Sequence, residues 1–176
     1  MPYVFMANEC KGNSLEIREL TLDNLNQYQE LILASEGVFH PELREDLEGI
    51  VEVLSSNGAI GKVACLDGKY IGNVLGFSPT EEQIQEMELL GLKPDPKSIY
   101  VSNFVINPEF QGRGYGTQLL SKFIEEASTR GYNKLEGHFR NVISLTVAKK
   151  LGANEVEVFP DWFETGEAYT HCRLDL

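Results

Sequence analysis

Two groups of residues in this chain have types and spacings that could do chemistry. Glu136 and His138 stand two apart in residues 134–139, a run that reads as a strand, so both side chains fall on one face. A carboxylate beside an imidazole suits proton transfer: Glu136 could deprotonate an amine, and His138, which titrates near neutrality, could shuttle a proton. The second group is Gln111-Gly112-Arg113-Gly114-Tyr115-Gly116, followed by Thr117. It lies between the apolar run 99–106 and a segment whose apolar residues (Tyr115, Leu119, Leu120, Phe123, Ile124, Ala127) recur at helical spacing, so it reads as a strand-to-helix turn. Its glycines remove side chains that would keep a ligand off the backbone, and the first helical amides have no intrahelical acceptor. Such a turn is an anion cradle.

Spacing narrows the anion. A dinucleotide fold places Gly-x-Gly-x-x-Gly after its first strand, with an acidic residue about twenty positions on. Here the glycines run Gly-x-Gly-x-Gly, two-thirds of the way along the chain. A phosphate loop ends in Gly-Lys-Ser or Gly-Lys-Thr, and this turn ends Gly116-Thr117 without a lysine. The hexapeptide instead resembles the signature of the GNAT acetyltransferase superfamily, Gln/Arg-x-x-Gly-x-Gly/Ala, matched by Gln111, Gly114 and Gly116. Asn107-Pro108-Glu109 before it, and Asn141 through Leu151-Gly152 after it, extend the resemblance. It implies acetyl-CoA as co-substrate, with no metal. The turn residues Gln111, Gly112, Arg113, Gly114, Tyr115, Gly116 and Thr117, with Asn141, would hold the cofactor, and the preceding strand, at Phe104, Val105 and Ile106, would bond its pantetheine arm.

Length and composition set the frame. The chain's 176 residues make one domain, 1–176, in which 1–13 is an extra strand or tail. Apolar content of 42% and charged content of 24% are those of a globular protein. No apolar run approaches the roughly 20 residues of a membrane span, and no basic-then-apolar leader opens the chain, so a cytoplasmic protein without a membrane partner is expected. Cys10, Cys65 and Cys172, like His40, His138 and His171, are dispersed without metal-ligand spacing. A net charge of −12 argues against nucleic acid. Residues 97–153 nevertheless carry eight Lys/Arg against four acids, net +4, which leaves −16 for the remainder. A basic middle suits an anionic cofactor, and an acidic remainder suits a cationic acceptor.

The elements that must position these residues follow in order. Residues 15–20 alternate as a strand, helices are expected over 22–34 and 41–54, and strands 60–66 and 70–77 are joined by the hairpin turn Asp67-Gly68-Lys69. Thr80 opens a short acidic helix to Leu90, and the whole excursion 79–98 is long enough to be a lid or specificity loop. The apolar run 99–106 is a central strand. Gly131 ends the next helix, 133–139 is a strand, Asn141 caps a helix to Leu151, and strands 155–159 and 168–176 close the chain. This order covers the GNAT arrangement. The fold implied is α/β (α+β): a mixed, mostly antiparallel twisted sheet of about seven strands, helices on both faces, splayed between strands 4 and 5.

The resemblance also bears on mechanism. Leu135-Glu136-Gly137-His138-Phe139-Arg140-Asn141 is similar to the Leu-Glu-Val-Arg-x-x-Asn of bacterial protein N-terminal acetyltransferases, whose glutamate is the base, and this carries over to Glu136 alone. Many members place a tyrosine seven residues after the asparagine as general acid to the thiolate, where this chain has Ala148; Tyr169, Tyr100 and His138 are the possible substitutes, or water suffices because a CoA thiol is a fairly good leaving group. Trp162 and Phe163 stand where related enzymes carry aromatics beside the acceptor. The expected activity is transfer of the acetyl group to a primary amine, either a small amine or a peptide N-terminus; a homodimer is compatible with it. The alternatives are a GNAT-fold module that holds acyl-CoA without turning it over, and an unrelated α/β protein whose glycine turn is only a tight connection.

Overall fold

Strand pairing begins where the sequence alternates. The computed structural model describes residues 14–176, so the extra strand or tail expected at 1–13 lies outside the described residues. Strand β1 (Leu15–Glu19) pairs antiparallel with β2 (Ile60–Leu66), and β2 with β3 (Lys69–Phe77). The Asp67-Gly68 turn between them has positive φ at both residues, 51° and 79°, the twist that a two-residue hairpin requires. β3 pairs antiparallel with β4 (Ser98–Ile106), and β4 runs parallel to β5 (Lys134–Arg140). β5 then pairs with β7 (Tyr169–Asp175), and β7 with the edge strand β6 (Asn154–Phe159), both antiparallel. The sheet order is β1-β2-β3-β4-β5-β7-β6, the mixed, mostly antiparallel seven-stranded sheet expected.

The one parallel pair is short. Only Ser98 to Val101 of β4 face Lys134 to Gly137 of β5, and beyond them the strands separate. Residues 103–106 therefore keep a ladder with β3 on one side and none with β5 on the other, and Ser102 sits in a bulge between Asn103 and Val101. This is the expected splay, and it leaves backbone donors and acceptors free along a wedge.

Helices cover both faces. On one, α4 (Tyr115–Thr129) and α5 (Ile143–Lys150) pack on the sheet, with Leu119, Phe123 and Ala127 fully buried against Ile71, Val74 and Leu135. On the other, α1 (Gln29–Ser35) and α2 (Leu47–Ser55) bury Ile32 and Ile50 against Val63, Tyr70 and Leu75. Burial of each such side chain contributes roughly 1.5–3 kcal/mol. None of the described helices is long and apolar enough to cross a membrane.

Three local expectations are corrected. The helix expected over 22–34 starts late, with the Asn24 side chain accepting from the Thr21 amide (2.9 Å) and donating to the Glu19 carbonyl (2.9 Å), and it breaks at Tyr28 (φ −122°) into a 3-10 turn, Leu25–Gln27, and α1. The helix expected over 41–54 begins at Leu47, where Asp46 accepts from the Gly49 amide at 2.9 Å; Pro41 starts only a 3-10 turn, Pro41–Leu43, and Arg44 is extended. Asn141 does not cap α5. Its Oδ1 accepts from Thr170 Oγ1 at 2.6 Å, tying the end of β5 to β7, and α5 starts after Val142 without a side-chain cap.

The excursion before β4 holds α3 (Glu81–Leu89), opened by a capping box in which Thr80 and Gln83 each bond the other's amide, at 2.9 and 3.2 Å. Gly91, at φ 80°, ends it. The chain then returns across the sheet, and Leu92 packs with Trp162 and Tyr169.

Candidate active site

The wedge between β4 and β5 opens into a cavity of about 680 Å³. At one end lies the glycine turn. Gly112 (φ 75°) and Gly114 (φ 83°) both adopt the left-handed conformation that favours glycine, and a Cβ at either would meet no atom within 4 Å. The space over these two residues is thus open to a ligand, at the N-terminus of the 15-residue α4. Gln111 fastens the turn to β4 by donating from Nε2 to the Ile106 carbonyl at 2.8 Å. These residues fit the pyrophosphate and arm of a CoA thioester.

Eight of the expected cofactor residues line the cavity: Phe104, Val105, Ile106, Gln111, Gly112, Gly114, Gly116 and Thr117. The other three do not. Arg113 projects into solvent, Tyr115 packs against the core, and Asn141 is held by Thr170. Sequence reasoning missed the contribution of α5, which faces the cavity with Ile143, Thr146, Val147 and Lys150. Their spacing of three, four and seven was the available signal, and Lys150 adds a cation to the cavity wall. Ala148 is turned away from that stripe, 2% exposed among core residues, so a tyrosine there would have to displace packed side chains rather than enter the cavity.

At the other end His138 forms part of the wall. Its Nδ1 is 2.6 Å from the hydroxyl of Tyr100, a residue that also lines the cavity. The imidazole is stacked between Trp162 (ring centroids 4.6 Å) and His171 (4.7 Å), and Trp162 stacks on Tyr169 at 5.5 Å. His138 Nε2 is buried without a hydrogen-bond partner. Burial, and then the neighbouring His171, push the His138 pKa down to about 3 against a smaller opposing pull from Glu136, so the ring is neutral at physiological pH. The folded value lies below the unfolded 6.5, so the associated stability is complete above pH 6.5 and is lost as pH falls towards 3. Melting temperatures measured between pH 6.5 and 4.5 should therefore fall less in a His138→Gln variant than in wild type.

Glu136 shares a face with His138, as the strand alternation requires, but it does not reach the cavity. Its carboxylate is 0% exposed. Oε2 accepts from the Asp95 amide (2.6 Å) and Ser98 Oγ (2.8 Å), while Oε1 accepts from Arg173 Nε (2.7 Å) and lies 3.3 Å from His171 Nε2. Burial alone would raise its pKa; nearby His171 and the hydrogen bonds from the Asp95 amide, Ser98 and Arg173 outweigh burial and hold it at about 2. A carboxylate this acidic and this enclosed is poorly suited to take a proton from an amine. Its observed work is to join the 92–97 segment, β4 and β7, with Asp95 further anchored to Lys134 Nζ at 2.7 Å. Among the described residues no group of His, Cys, Asp and Glu could hold a metal ion.

Comparison with known proteins places this geometry. The chain is 25% identical over 163 residues to an uncharacterized N-acetyltransferase of Methanocaldococcus jannaschii, covering 83% of this chain and 63% of that one. It is 32% identical over 69 residues to the [ribosomal protein bS18]-alanine N-acetyltransferase of Salmonella typhimurium, covering 38% and 47%. The chain thus spans between 47% and 63% of the length of these curated relatives. Among solved structures, a GNAT family acetyltransferase from Elizabethkingia anophelis with acetyl-CoA bound superposes with a TM-score of 0.64 at 20% identity, over 94% of this chain and 100% of that one. The profile of the acetyltransferase (GNAT) family matches residues 25–153, a stretch that contains the splayed strand pair, the open glycine turn and the α5 stripe beside it. By its sequence and by the wedge those residues build, the chain belongs to the GNAT acetyltransferase family.

Proposed function

We propose that this protein transfers the acetyl group of acetyl-CoA to a primary amine. The observation that carries the reading is one continuous cavity with an open glycine turn at one end and a hydrogen-bonded Tyr100–His138 pair at the other. Acetyl-CoA, when bound, supplies an activated thioester, so the chain's own contribution is to position an amine and manage protons. The free backbone groups of residues 102–106 and the turn at 111–117 would hold the cofactor along the wedge.

The proton work falls to Tyr100. Neutral His138 can carry its proton on Nδ1 or on Nε2. Because Nε2 has no partner, placing the proton on Nδ1 avoids burying an unpaired N–H and lets Nδ1 donate to the Tyr100 oxygen. Tyr100 then has its own O–H free to point into the cavity. Once the amine has given up its ammonium proton to solvent, the neutral nitrogen bonds the acetyl carbon and the C–S bond breaks; Tyr100 passes its proton to sulfur and receives one from the nitrogen, so protons balance through the attack itself. Tyr100→Phe should lower turnover about 100-fold, the low end for acid–base groups, while the CoA-induced rise in melting temperature persists. An unchanged turnover would remove Tyr100 from the reaction.

The activity itself is tested by incubating the full chain with acetyl-CoA and a panel of primary amines and short peptides while free thiol is detected. One set of observations favours a second reading, an acyl-CoA-binding module without turnover: Ala148 offers no donor from α5, and Glu136 is sealed away. CoA binding without thiol release for any amine would select it.

A further inference from the structure

The acceptor end of the cavity carries a chemical signature of its own. Phe39 and Leu43, from the segment between α1 and α2, line it together with Tyr100, Trp162 and Tyr169, and Leu43 packs against the Trp162–Tyr169 cluster. The walls are apolar and largely aromatic, and two charged side chains accompany them. One, Arg140, is occupied: Nη1 donates to the Val38 carbonyl at 3.0 Å and lies 3.4 Å from Glu167 Oε1. The other, Glu45, has no hydrogen-bond or ion-pair partner for its carboxylate among the described residues.

Glu45 is nevertheless held in place through its backbone and its surroundings. Its amide donates to Glu36 Oε2 at 3.0 Å, and Glu36, 3% exposed, accepts from Asn103 Nδ2 at 2.6 Å on β4. Gly49 makes room for the Glu45 carboxylate at the first turn of α2: a Cβ there would clash with Glu45 Oε2. Burial, reinforced by Glu36, Asp46 and Glu52, raises the Glu45 pKa, so an incoming cation would relieve an uncompensated carboxylate.

Resting on the acetyltransferase reading, we infer that the acceptor is a small monoamine bearing an aromatic or comparably bulky apolar group, its ring seated among Phe39, Leu43 and Trp162 and its nitrogen anchored by Glu45. A polyamine would find one carboxylate and several rings, and a bare alkylamine would leave the rings unused.

The test is equilibrium binding to the CoA-saturated full chain, with 2-phenylethylamine as the probe and ethylamine, 2-phenylethanol and a phenylalanine-initiated peptide amide as comparators. The probe should bind at least about tenfold more tightly than each comparator, the worth of one charge-assisted contact or of a buried ring. Glu45→Gln should lower affinity for the probe by about tenfold and leave that for 2-phenylethanol unchanged. Gly49→Ala, which displaces the carboxylate without removing it, should act in the same direction while melting no lower than wild type, since alanine favours the helix. Equal binding of the probe by wild type and Glu45→Gln would overturn the inference, as would tighter binding of ethylamine or of the peptide. Thiol release is measured separately: binding as described with no release sinks the transferase reading alone, and release with amines indifferent to Glu45 sinks this one alone.

Discussion

Gly114→Asp should abolish binding of acetyl-CoA and CoA while the protein still folds. An aspartate at φ 83° costs about 1–2 kcal/mol of backbone strain, eased because Asp visits this region more readily than most residues. No steric cost adds to it, since the position faces open space. The new carboxylate instead stands where the pyrophosphate would lie, at the end of α4 that favours the ligand's negative charge. On the proposed reading, CoA at a hundredfold excess over its Kd should stabilise wild type by about 2.7 kcal/mol, a rise of roughly 5–10 °C in a protein of this size. The folded Gly114→Asp protein should show none of that rise, and Gly114→Ala, which puts a methyl but no charge in the same space, should show a smaller rise than wild type. A full CoA-induced shift in the aspartate variant would place the pyrophosphate elsewhere.

Glu136→Leu should cost about 3–5 kcal/mol of stability, because it removes the anion that compensates Arg173 and leaves the Asp95 amide without an acceptor. Roughly 10 °C of melting temperature is at stake. The pH dependence has a definite sign. The folded pKa of about 2 lies below the unfolded 4.5, so the contribution is fully present above pH 4.5 and is lost as pH falls from 4.5 through 2. That difference corresponds to about 3 kcal/mol, which the Glu136→Leu protein should lack at neutral pH and therefore not lose on acidification. The milder Glu136→Gln, assayed below its melting transition, separates scaffold from base. Its turnover should stay within about tenfold of wild type, whereas a base would cost 100- to 10,000-fold. A loss of the larger size in a folded protein would restore Glu136 to the chemistry.

The parts of this protein written in local signals could be read from sequence. The glycine turn, the Asp67-Gly68 hairpin, the Thr80 capping box and the glycine stops at 91 and 131 depend on residues within a few positions of one another, and each appears where expected. Strand alternation put Glu136 and His138 on one face. What surrounds that face was not legible, because the partners of Glu136 come from Asp95, Ser98 and Arg173, between 37 and 41 residues away. The same limit hid Glu45. No motif marks it, and its place on the cavity wall depends on an aspartate cap at Asp46 that shortens the expected helix and on a bond to Glu36 nine residues earlier.

The brevity of the β4–β5 ladder makes the middle of the sheet its seam. Strands β1–β4 and β5–β7 are joined by the four residue pairs from Ser98 to Val101, while every other pair of neighbouring strands shares at least five. A ligand lying along residues 102–106 would stand in for the missing partner strand and lace the two halves together. Amide hydrogen exchange reads this directly: on the proposed reading, amides in that stretch slow when CoA is added, and those inside β2, already paired on both sides, change little. Equal slowing in both places would mean that the ligand tightens the whole fold rather than its seam. Where unloaded chains open along this line and are degraded, the protein's lifetime in a cell would, on the proposed reading, follow the local supply of acetyl-CoA.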